Sequence, residues 1–132
     1  PVLRVLTGEG YYVDRDGRVM PLSSKFTSRV VVATGDINKK FACEKLGPFA
    51  MKLKNEPFWD AYIEQLVVRS NEDVVMIPKV GDFRIVLGKV DDCDARLEKL
   101  ILFLKDGITK KGWNRYKEIN LKFDNQVVCV RK

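Results

Sequence analysis

Few residues in this chain are of types that do chemistry, and their spacing argues against catalysis. The 132 residues contain no histidine, which removes the commonest general base and the commonest metal ligand. Ser23, Ser24 and Ser28 cluster around Lys25, the composition of a Ser-Lys nucleophile pair, but Ser-rich stretches next to Pro21 are far more often turns. Cys43, Cys93 and Cys129 are odd in number and lack any Cys-x-x-Cys spacing, so a zinc site is not expected. Cys93 falls near a helix start, where the dipole would favour a thiolate, yet Asp91, Asp92 and Asp94 oppose it. Their odd number, in a domain large enough to need no staple, predicts free thiols, the alternative being one disulfide between two of the three in an oxidising compartment. The paired acids Asp14/Asp16 and Asp91/Asp92/Asp94 have the composition of an acid-base pair or cation site, but a turn at Asp16 and a helix cap at Asp91 or Asp92 account for them. Gly107-Ile-Thr-Lys-Lys-Gly112 spaces its glycines like a phosphate loop, then places Trp113-Asn114 where Lys and Ser/Thr are required. No catalytic residue, cofactor or metal is expected, and the chain reads as a non-enzyme.

Charge points to binding. With 24 Lys and Arg against 18 Asp and Glu the net charge is +6, which favours an anionic partner without choosing one. The basic concentration is the 105–117 segment, where Trp113 and Tyr116 interleave with Lys110, Lys111, Arg115 and Lys117. That pattern can stack and neutralise single-stranded nucleic acid, although inward-folding aromatics in a solvated loop produce the same letters. No apolar run approaches the ~20 residues of a membrane span, and no signal-peptide pattern is present. The chain opens on Pro1 without Met, as a fragment would, with a membrane or targeting segment upstream.

The length suffices for one domain burying roughly two thirds of its unfolded surface. Pro1 to Leu6 reads as a strand. Tyr11 to Met20 reads as a hairpin about Asp16-Gly17, and Arg29 to Thr34 as a buried strand. Pro48 and the Phe49/Leu53 pair predict a short helix ending before Pro57. Phe58-Trp59 then leads through Tyr62 and Ile63 into a strand, Gln65 to Arg69. Asp73 to Pro78 and Phe83 to Leu87 flank a loop containing Gly81 and read as a second hairpin. Leu97, Leu100, Ile101 and Leu104 recur at helical spacing, predicting a helix from about Asp92 to Asp106, stopped by Gly107. The order predicts an α+β domain, a mostly antiparallel sheet with two helices packed on it.

At the end of the chain Ile119, Leu121 and Phe123 alternate with Asn120 and Lys122 before a polar turn and a second run, Val127 to Arg131. This is a hairpin at the terminus. A last strand with no successor can lie at a sheet edge, where unpaired backbone groups accept a partner's strand.

Tyr11-Tyr-Val-Asp-Arg-Asp-Gly-Arg-Val-Met-Pro21, Val32-Ala-Thr-Gly35, Phe58-Trp59 with Ile63-Glu-Gln65, Ile85-Val-Leu-Gly88, Arg96-Leu-Glu-Lys-Leu100 and Ile119-Asn-Leu-Lys-Phe-Asp-Asn-Gln-Val-Val128 together resemble the extracytoplasmic β domain of the bacterial FtsQ/DivIB cell-division family. Asn120 stands where that family usually has Asp, and Gln126 where Gly often follows the turn. The resemblance implies that residues 1–7 are the last strand of an upstream POTRA-like domain and residues 8–132 the β domain. It implies a single-pass inner-membrane protein with a missing transmembrane helix, this domain lying in the periplasm. It further implies a non-enzymatic divisome scaffold supporting septum formation, binding FtsB-like and FtsL-like proteins by strand addition. The matching positions are Phe123, Asp124 and Asn125 of the turn, with Val127, Val128, Cys129, Val130 and Arg131 along the edge. Nucleic acid is not among the partners it implies. Binding nucleic acid through the 105–117 segment is the second reading, and an unrecognised small enzyme the third.

Overall fold

The computed structural model describes residues 1–21, 29–79, 83–104, 116–121 and 128–131. Among these, nine strands form one mixed sheet: β1 (Leu3–Val5), β2 (Tyr11–Val13), β3 (Val19–Pro21), β4 (Val31–Gly35), β5 (Ile63–Arg69), β6 (Asp73–Pro78), β7 (Arg84–Gly88), β8 (Tyr116–Asn120) and β9 (Val128–Arg131). Their spatial order is β3-β2-β1-β4-β5-β6-β7-β8-β9. The β1–β4, β4–β5 and β7–β8 pairings are parallel, and the rest antiparallel. The fold class is α+β, as the alternation of strand and helix periods predicts.

Parallel neighbours need a crossover, and the helices supply two of them. Between β4 and β5 run α1 (Lys39–Phe41), a π-helical stretch at Ala42–Leu46, α2 (Gly47–Asn55) and α3 (Pro57–Tyr62). Between β7 and β8 runs α4 (Asp94–Phe103). The strands β4 and β7 point the same way and both crossovers move in the same direction along the sheet. Right-handed connections then place both helical layers on one face. The packing agrees, since Phe49, Leu53 and Trp59 share a single buried cluster with Leu97, Leu100 and the strand residues Leu3, Val5, Leu66, Met76, Ile85 and Ile119. Ion pairs from Lys45 to Asp91 at 2.7 Å and from Lys52 to Asp94 at 2.5 Å tie the first helical layer to the loop and first turn of α4.

Three expectations change. Pro57 does end α2, with Glu56 extended at φ −106°, ψ 113°. It also opens α3 in a position where the missing N–H costs nothing, and the Glu56 carboxylate caps that helix by accepting from Trp59 N at 3.1 Å. Phe58 to Tyr62 is therefore helical rather than a lead into the strand. Second, the helical region begins at Lys39, because the Asn38 side chain accepts from Phe41 N at 2.7 Å. Helical structure thus extends beyond the two predicted helices. Third, α4 starts at Asp94 with Cys93 as its N-cap residue and no side-chain cap. Asp91 and Asp94 are used in ion pairs instead, and Asp92 sits in the left-handed region at φ 48°.

The hairpin acid also moves. Asp14, not Asp16, organises the β2–β3 turn, its Oδ1 accepting from Asp16 N at 2.9 Å and Arg18 N at 2.8 Å. At the end of β4, Gly35 has φ 109°, and a Cβ there would stand 2.2 Å from Val68 O. Only glycine lets β4 lie this close to β5 before the chain turns into α1.

Candidate partner-binding edge

β8 and β9 lie at one end of the strand order. Ile119 is fully buried and Leu121 is 1 % exposed, because both point to the helical side. Leu121 N continues the ladder by donating to Val86 O at 2.8 Å. Glu118 and Asn120, alternating with them, are half-buried. β9 runs antiparallel to β8 with Asn120 opposite Val128, Ile119 opposite Cys129, Glu118 opposite Val130 and Tyr116 opposite Arg131. The register shifts between Tyr116 and Glu118, which adds twist at the edge. Four residues of antiparallel strand direct alternate backbone groups to the neighbour and the others outward. Among the described residues β9 has a neighbour only on its β8 side, so the outward set faces no strand.

Of the residues read from the sequence as the partner site, Val128, Cys129, Val130 and Arg131 form β9. Phe123, Asp124, Asn125 and Val127 lie outside the described residues, as does the loop part of the basic 105–117 segment. Ser23, Ser24, Lys25 and Ser28 also lie outside them. Among the described residues no group of three or more Cys, Asp or Glu is placed to hold a metal ion. Cys43 and Cys93 are free thiols. Burial pushes the Cys93 thiol up, Asp94 adds to this, and Lys52 and Arg96 work against it, so this thiol is held protonated.

One feature escapes sequence reasoning. A cleft of about 470 Å³ is lined by Arg69, Asn71, Asp73, Gly88, Lys89 and Arg96. Arg96 spreads its guanidinium over three carbonyls, Leu87 O at 2.5 Å, Lys89 O at 2.6 Å and Asp91 O at 3.0 Å, which pins α4 to the end of β7. Lys89 Nζ donates to Asn71 O. Arg69 holds Asp73 through two nitrogens. Carbonyls satisfy the hydrogen bonds of Arg96 and Lys89 without neutralising their charge, so the three cations outweigh the one lining acid. The cleft can accept an anionic group. Its Gly88 lies two residues beyond Val86, whose row continues through Asn120 to Val128, so the cleft and the start of β9 are at the same end of the sheet.

The sequence pattern of the family described as FtsQ/DivIB, C-terminal related matches residues 1–130. The chain belongs to that family. FtsQ/DivIB-related proteins are membrane-anchored bacterial cell-division proteins of a scaffold type, not known for enzymatic activity, so a cell-division role and divisome partners follow for this chain. No curated protein matches it at a significant level. Among the described residues of this FtsQ/DivIB-related chain, no helix is long and apolar enough to cross a membrane.

Proposed function

We propose that this domain is a divisome scaffold that accepts a partner strand along β9, the partners being FtsB-like and FtsL-like proteins. The observation carrying the reading is that β9 closes the strand order with one side unpaired among the described residues. Strand addition draws affinity from main-chain hydrogen bonds and takes specificity from alternate side chains. Phe123, Asp124 and Asn125 would set the register at the turn, and Val127 to Arg131 would carry the pairing. Arg131 and Lys132, which close the sequence, and the cationic cleft near the opposite, Val128 end of β9 favour an acidic partner segment and faster encounter at low salt. The parent protein would cross the inner membrane once, upstream of a POTRA-like unit, and present this domain in the periplasm.

A proline scan tests this. Proline removes one backbone donor, so at an outward-facing position it removes a bond to the partner, and at an inward-facing one it disrupts the ladder. Among Val127→Pro, Val128→Pro and Cys129→Pro, at least one variant is expected to abolish binding of an FtsB extracytoplasmic peptide while keeping its thermal transition. Normal binding by every variant that still folds overturns strand addition at this edge.

A further inference from the structure

The cationic cleft is built from parts that fix the charge of what it can hold. β5 and β7 run in the same direction, each being antiparallel to β6 between them, so their carboxyl ends, Arg69 and Gly88, open onto the cleft together. Sheets with helical crossovers hold small ligands in crevices outside the carboxyl ends of like-directed strands. The acids of this region are mostly drawn elsewhere. Asp91 pairs with Lys45 and Asp94 with Lys52, and the pKa of Lys45 is raised by Asp91 first and by Glu72 further. The cleft keeps Arg69, Lys89 and Arg96 against Asp73 alone, a net charge of +2.

These cations are in place before a ligand arrives. Arg96 is held by the carbonyls of Leu87, Lys89 and Asp91, and Lys89 by that of Asn71, so little side-chain freedom is left to lose on binding. Asn71 and Glu72, both left-handed at φ 62° and 59°, form the turn that carries this carbonyl. Ser70, exposed on the same rim, adds a hydroxyl. A carboxylate is a planar fork that one guanidinium satisfies, and Asp73 already takes Arg69. The remaining excess comes from two different elements, Lys89 just after β7 and Arg96 on α4. A phosphomonoester answers both features, since it carries nearly two negative charges at neutral pH and three strong acceptor oxygens pointing apart.

We infer that the cleft between the β5–β6 turn and the start of α4 is a binding site for the dianionic phosphate of a phosphomonoester, held by Arg69, Lys89 and Arg96. A soluble phosphorylated molecule and a phosphatidate head group share this chemistry. Binding here needs no partner at β9, so the two sites are tested separately.

Isotope-labelled domain is titrated with methyl phosphate at constant ionic strength. The readouts are the amides of Asn71, Gly88 and Lys89 and the Nε–H groups of Arg69 and Arg96. Saturable shifts centred on these groups are expected, strengthening as pH rises through about 6, where the monoester gains its second charge. Dimethyl phosphate, a phosphate with one charge, and succinate, a dianion without phosphate, are expected to bind about tenfold more weakly, the loss of one charge-assisted hydrogen bond. Lys89→Met is expected to lose the same factor. Should Lys89→Met fail to fold, Ser70→Asp, at an exposed position, is expected to abolish binding by placing a negative charge on the rim. Sedimentation of the domain with phosphatidate-containing phosphatidylcholine vesicles, lost in Ser70→Asp, would uphold the site with a lipid as the source. Methyl phosphate binding without sedimentation would uphold it with a soluble one. Equal binding of dimethyl phosphate or succinate, shifts centred on the 105–117 segment, or no saturable shift at the cleft would each overturn the inference.

Discussion

Truncating Leu100 and Leu102 separately should give opposite results from positions two residues apart on α4. Leu100 is fully buried and Leu102 is 65 % exposed. Leu100→Ala removes three carbon groups from the interior, worth about 2.4 kcal/mol at ~0.8 kcal/mol per group. The cavity adds to this, because Leu97 and the strand residues beneath α4 are packed too closely to relax fully, so the total loss is about 3–5 kcal/mol. At roughly 4 °C per kcal/mol for a domain of this size, the melting temperature should fall by about 12–20 °C. Leu102→Ala removes the same atoms from water-facing space and should lie within about 0.5 kcal/mol of the parent. Thermal and urea denaturation followed by circular dichroism read both variants. Equal shifts, or a larger loss at Leu102, would show that α4 packs with a different face on the sheet.

Gly35→Ala should cost about 3 kcal/mol or more in urea denaturation, since a left-handed φ and a Cβ in contact with Val68 O coincide there. Burial holds the Tyr62 hydroxyl protonated well above its ordinary range, and Tyr11 is raised by burial and then by Cys43. A folded-state pKa above the unfolded value means that the stabilisation is complete below about pH 10 and is lost as pH rises beyond it. Phenolate absorbance, compared with Tyr11→Phe and Tyr62→Phe variants, should therefore show Tyr11 and Tyr62 ionising late, Tyr62 only with unfolding. Thiol labelling at mildly alkaline pH should modify half-buried Cys43 well before Cys93, which is fully buried; comparable rates would contradict the packing of Cys93 beneath the start of α4.

The legible parts of the fold were those written in local periodicity. β6 occupies the predicted Asp73–Pro78, and the Leu97/Leu100/Leu104 stripe is buried, because both patterns are carried by consecutive residues facing one surface. The region before Gly47 was not legible, since Asn38 caps a single α-turn that passes at once into a π-helical stretch and breaks the regular period. Pro57 was ambiguous for a physical reason: the ring that terminates one helix is equally suited to the first turn of the next. The three parallel pairings were hidden because they join strands distant in sequence. At the candidate edge, the alternation of Ile119 and Leu121 located β8. The cationic cleft was invisible because Arg69, Lys89 and Arg96 meet only once β5, β7 and α4 are assembled.

The claim that β9 is an acceptor edge is tested most directly by amide hydrogen exchange on its four residues, free and with an FtsB extracytoplasmic peptide. In the free domain, β9 amides bonded to β8 should exchange slowly and the alternate ones quickly. Partner addition at this edge predicts that the fast amides become protected on binding, while the corresponding amides of β3 at the other end of the sheet do not change. Binding that leaves the fast β9 amides unprotected would contradict the account.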